Sequence, residues 1–120
     1  MTRTASLLLT AILLTVMPLI ATGATIRVDV AGSGDFLTIQ EGLDNAAGCD
    51  TVLVAPGTYT GPLNRNLSFG LLNLVLLSEA GLGGTVIDAE GQDRVFDFNG
   101  TGQDTTSIIR GFTIQNGYTD

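Results

Sequence analysis

The chain has 120 residues, a formal net charge of −7, no histidine, no lysine and a single cysteine. An acid surface of this kind repels nucleic acid phosphates. The absence of histidine excludes a histidine-based triad, the lone thiol excludes an internal disulfide, and no glycine-rich loop ends in a lysine.

The amino terminus reads as an export signal. Arg3 and the terminal amine supply positive charge, Leu7 to Ile20 is almost wholly apolar, and Ala21-Thr22-Gly23-Ala24 offers small residues for cleavage. This pattern predicts a signal peptide over residues 1–24, cut after Gly23 or Ala24, and a secreted or cell-surface location. The apolar run is shorter than the roughly 20 residues of a membrane-spanning helix. No cysteine stands at the cleavage site to carry a lipid. The mature domain is expected over residues 25–120, enough for one small core.

Thr25 to Val30 alternates apolar and polar residues and predicts a half-buried strand. Ala31-Gly32-Ser33-Gly34 breaks it. A helix is expected over 38–47, with Thr38 as N-cap, Glu41 as the reciprocal partner of a capping box, and Ile39, Leu43 and Ala46 as its apolar stripe. Gly48 is expected to supply the left-handed residue that ends it. Helix capping and a solvated face account for Asp35, Gln40, Glu41 and Asp44. Cys49 is expected as a small buried residue.

The runs Val52 to Ala55 and Leu74 to Leu77 are continuously apolar and bounded by turn formers, as in parallel strands covered on both sides. Their centres, Leu53 and Leu76, lie 23 residues apart, a spacing within the roughly 20 to 50 residues of solenoid repeats. Secondary strands are expected at Thr85 to Asp88 and Arg94 to Phe98, and a third unit at Ser107 to Gly117. Its larger offset requires a longer loop, for which residues 101–106 have the composition. Successive coils of such short strands stack to form a joint core, and an amphipathic helix over the first coil protects its open end. No comparable element follows the last strand signal before Asp120, so the chain is expected to be the beginning of a longer solenoid.

Five phrases in order carry a resemblance: Phe36-Leu37-Thr38-Ile39-Gln40, Val54-Ala55-Pro56-Gly57-Thr58-Tyr59, Leu76-Leu77-Ser78-Glu79-Ala80-Gly81, Ile87-Asp88 and Gly111-Phe112-Thr113-Ile114-Gln115-Asn116. Together they resemble the opening of pectin-lyase-like proteins, pectin methylesterases among them. The resemblance implies an all-β fold, a right-handed parallel β-helix with an N-terminal capping α-helix. In the esterases it would imply two aspartates, an arginine and glutamines on later strands, and none of those motifs is matched here.

The residues point to no catalytic set and to no cofactor. Asp88, Glu90, Asp93 and Asp97 are the densest acidic group and a candidate calcium site, but strand ends and turns account for them better. Tyr59 and Tyr118 are candidates for stacking on sugar rings, with Tyr59 expected to pack over a coil edge. Asn73, Asn99 and Asn116 are expected to form an internal amide ladder. Two functions are therefore expected. One is a secreted, non-catalytic module for extracellular or cell-surface glycan interaction or structural display. The other is the front of a carbohydrate esterase or polysaccharide lyase whose catalytic residues lie beyond Asp120. The expected partners are polysaccharide, further β-helix coils or another copy of the chain.

Overall fold

The structure, a computed structural model, describes residues 23–119. The expected signal peptide lies outside these residues except for Gly23 and Ala24. Among the described residues, seven strands and one short helix follow one another: β1 (Thr25–Val28), α1 (Ile39–Asp44), β2 (Thr51–Val54), β3 (Gly57–Tyr59), β4 (Val75–Ser78), β5 (Thr85–Asp88), β6 (Ile108–Arg110) and β7 (Thr113–Gln115). A 3-10 turn, Pro62–Asn64, follows β3. All pairings are parallel, in the orders β1-β2-β4-β6 and β3-β5-β7. The result is a parallel β-solenoid of about three turns.

The register explains the core. Ile26, Val52, Leu76 and Ile109 fall in line, as do Tyr59 with Ile87 and Ile87 with Ile114. Val52, Val54, Tyr59, Leu76 and Ile87 are fully buried. The expectation that β2 and β4 are covered on both sides is overturned, because Leu53 and Leu77 point outward and are only half-buried. A solenoid wall has its core on one side only. The runs are continuous because Leu53 stacks on Leu77 along the outer column, with Arg27 and Arg110 at its ends.

Of the expected strands, one is shorter than its sequence pattern and one does not form. β1 stops at Val28 because Asp29 starts a turn, its carbonyl accepting Gly32 N–H at 3.0 Å and its carboxylate accepting Ala31 N–H at 2.8 Å. Arg94 to Phe98 forms no strand and contributes one bridge, Leu67 to Phe96. The chain then turns away as the Asp97 carboxylate accepts Asn99 N–H at 2.9 Å. In the third unit Gly111, at φ 89°, separates β6 from β7 and a Cβ there would lie 3.0 Å from Ser78 Cβ. The preceding long loop is pinned by Gln103, whose side-chain amide donates to the Gly70 and Leu72 carbonyls at 2.8 and 3.1 Å.

Helix α1 lies over the first coil, as its apolar stripe requires. Ile39 and Leu43 are buried in the same cluster as Val28 and Val52, and burying each such side chain stabilises by about 1.5–3 kcal/mol. Thr38 is the N-cap, accepting Glu41 N–H at 3.4 Å. The capping box is rearranged, since Glu41 Oε1 accepts the Thr38 hydroxyl at 2.6 Å. The helix ends at Asp44, earlier than expected. Asn45 is the C-cap, and its side-chain amide donates to Glu41 O at 2.9 Å, competing with further helical bonding. The left-handed residue is Cys49, at φ 70°, not Gly48. That turn places Cys49 on the surface, contrary to its expected burial.

Candidate functional site

The acidic group is consumed by structural bonds. Asp88 ends β5 and accepts Asn116 Nδ2 at 3.0 Å, Glu90 N–H at 2.8 Å and Gln115 Nε2 at 3.1 Å. These bonds, Asn116 foremost, hold its carboxyl below the usual carboxylate range. Glu90 accepts Gly61 N–H at 3.0 Å and faces Arg65 Nη1 at 3.6 Å. Asp93 and Asp97 both face Arg94, at 3.8 and 3.6 Å. Among the described residues, no three His, Cys, Asp or Glu side chains converge as metal ligands.

The two tyrosines have opposite fates. Tyr59 is fully buried; its hydroxyl donates to Ala55 O at 2.9 Å and accepts Val30 N–H at 3.2 Å. Burial raises its phenol pKa and withdraws the ring from any ligand. Tyr118 is 53% exposed. It follows β7, and its N–H donates to Asp93 O at 2.9 Å, which brings it beside the turn after β5. With Gln92, Asp93, Arg94 and Thr119 it lines an open cleft of about 390 Å³. An apolar ring face beside amide, carboxylate and guanidinium groups can combine stacking with hydrogen bonding. The sequence singled out Tyr118 for stacking and Asp93 for calcium but did not join them: Gln92, Asp93 and Arg94 precede Tyr118 by more than twenty residues and meet it only through coil stacking.

A second cavity, of about 230 Å³, is lined by Phe69, Phe98, Ile109, Gln103, Asp104 and Ser107. Phe98 packs edge-on against Phe69 at 5.3 Å and stacks on Phe96 at 5.8 Å. The expected asparagine ladder is absent because its members sit in different places. Asn73 precedes β4 and accepts Asp104 N–H and the Ser107 hydroxyl, at 3.1 and 2.9 Å; Asn116 follows β7 in the other sheet; Asn99 lies in an exposed turn.

Two polar clips were not legible as such. Asn64, 4% exposed, accepts Ile39 N–H at 2.8 Å and donates to Thr60 O at 2.8 Å, so it caps α1 from a distant turn. Gln40 pairs with the backbone of Ser68, accepting N–H at 3.0 Å and donating to O at 3.1 Å. It is a tie between helix and coil rather than a solvated residue. On the first coil, Arg27 grips Glu79 at 2.8 and 3.2 Å and Asp29 at 3.1 Å. Asp29 also accepts the Ser33 hydroxyl, the largest cause of its lowered pKa. Comparison with known proteins finds no family model, no curated protein and no solved structure that matches this chain.

Proposed function

We propose that the chain is part of a secreted or cell-surface, right-handed parallel β-helix of pectin-lyase-like type. In these residues it acts without catalysis, as a module that contacts extracellular glycan or displays other parts of the protein. The observation that carries the glycan reading is the half-exposed Tyr118 ring beside Gln92, Asp93 and Arg94. Sugar rings present C–H faces to an aromatic plane and hydroxyls to its polar surround. On the same reading, the outer edges of β6 and β7 accept a further parallel coil or another copy. Ile114, 49% exposed, is the apolar residue such a coil would cover.

The test is titration of the processed protein with soluble plant and microbial polysaccharides, followed by calorimetry and by amide shifts. Binding that perturbs residues 92–94 and 118–119, and is lost in Tyr118→Ala without a change in melting temperature, is the expected result. No binding across the panel, or binding indifferent to Tyr118, overturns the glycan reading. Methyl-ester hydrolysis or chain cleavage of pectin by this chain would overturn the non-catalytic reading.

A further inference from the structure

We propose that removal of the leader after Gly23 creates a new structural ion pair, in which the Ala24 ammonium docks on the carboxylate of Asp50. This rests on the reading of an export signal, whose small-residue stretch leaves the bonds after Gly23 and after Ala24 both available to the peptidase. Folded geometry separates them. Ala24 N lies 2.7 Å from Asp50 Oδ1. Ala24 O accepts Thr51 N–H at 2.9 Å, one residue before the β1–β2 ladder begins at Thr25 and Thr51. Cleavage after Gly23 keeps both bonds, whereas cleavage after Ala24 removes both.

Asp50 is built to receive a cation. It is only 8% exposed. Its other oxygen accepts Ala47 N–H at 2.8 Å, and its own N–H donates to Ala47 O at 3.1 Å, so the turn between α1 and β2 fixes the side chain. The only titratable neighbour on that turn is the exposed Cys49 thiol. The two backbone N–H donors, Ala47 before Ala24, hold the carboxyl below its usual range, so it is ionised at neutral pH. With the leader attached, one peptide N–H meets it. After cleavage the same atom carries a positive charge and three donors, and a charge-assisted bond replaces a neutral one.

The step balances as a hydrolysis by the signal peptidase. Water adds across the Gly23–Ala24 peptide bond, the C–N bond breaks, Gly23 leaves as a carboxylate with the signal peptide, and the Ala24 amine takes up the released proton. Processing thus tightens the join of β1 to β2, the first rung of the solenoid. Gly23 also fits the folded precursor, because a Cβ there would collide with the Cys49 carbonyl oxygen.

Amino-terminal sequencing of exported protein is the first arm, and Ala24 is the expected first residue. An intact Met1 overturns the export reading itself, while a start at Thr25 leaves that reading standing and overturns the docking. The second arm compares melting of the processed chain with the same chain acetylated at Ala24, which keeps the N–H donor and loses the charge. The free amine is expected to melt about 4 °C or more higher near pH 7. That difference should fade as pH rises through the folded amine's pKa, which pairing raises above its unfolded value of about 7.7–8.0, and should be absent in Asp50→Asn. Equal melting of the two forms, or a difference that persists in Asp50→Asn, overturns the proposal.

Discussion

Gly42→Ala sets two physical effects against each other. Glycine inside a helix is less favourable than alanine by about 0.8–1.0 kcal/mol, so the exchange alone stabilises α1. In this fold, however, the added Cβ would lie 2.6 Å from Val28 Cγ2 and 3.1 Å from Val52 Cγ1. Both valines are fully buried, and their β-branched side chains have little rotamer freedom with which to retreat. Overpacking of this kind costs about 1–3 kcal/mol. The cost exceeds the gain, and a net loss of about 1 kcal/mol is expected, or a melting temperature lower by about 4–8 °C. Gly48→Ala is the internal control. Gly48 has no positive φ, and a Cβ there meets nothing nearer than Leu72 Cδ2 at 3.9 Å. It should gain about 0.4–1 kcal/mol by restricting the unfolded chain. Urea denaturation of both variants, read as midpoint shifts at constant slope, decides the matter. Stabilisation by Ala at 42 equal to that at 48 would refute the close seating of α1 on the first coil.

Thr38→Ala should cost about 1 kcal/mol through the lost N-cap, and Ile39→Asp should cost more by placing a charge in the buried cluster; urea midpoints rank them, and a neutral Ile39→Asp would contradict the buried helix face. Asn64→Ala leaves the buried Ile39 N–H without its acceptor and should lose about 1–3 kcal/mol, again by urea midpoint. Asp29, Asp50, Glu79, Asp88 and Asp104 all have pKa values lowered in the fold, Glu79 chiefly by Arg27 and Asp104 chiefly by the Thr106 hydroxyl. The unfolded chain therefore binds more protons in acid, so this stability is complete above the ordinary carboxylate range and is lost as pH falls through the folded values. Melting temperatures between neutral pH and pH 3 should fall accordingly, and less steeply in Asp50→Asn. Two exposed Asn-Gly pairs should age differently. Among the described residues the Asn99 side chain makes no hydrogen bond, whereas Asn116 is tied to Asp88. Peptide mapping of stored protein should find deamidation first at Asn99 in the folded state and at both sites in urea.

Near neighbours along the chain govern one set of features. The Thr38 N-cap, the apolar stripe of Ile39 and Leu43, the strands around Val52, Leu76 and Ile87, and the turns between them all follow from side-chain shape, capping chemistry and period. Repeat spacing adds the inference that the strands stack as coils, because none can bury its face alone. The rest depends on contacts made between coils. α1 stops at Asp44, and the turn after it, built on the Asp50 carboxylate, turns Cys49 outward. The ties from Asn64 to Ile39 and from Gln40 to Ser68 span 25 and 28 residues. Tyr118 meets Gln92 and Arg94 only because β7 lies beside β5. Periodicity is a property of a short window of chain, whereas which polar groups meet across coils depends on register. That register is set jointly by all the stacked apolar columns at once.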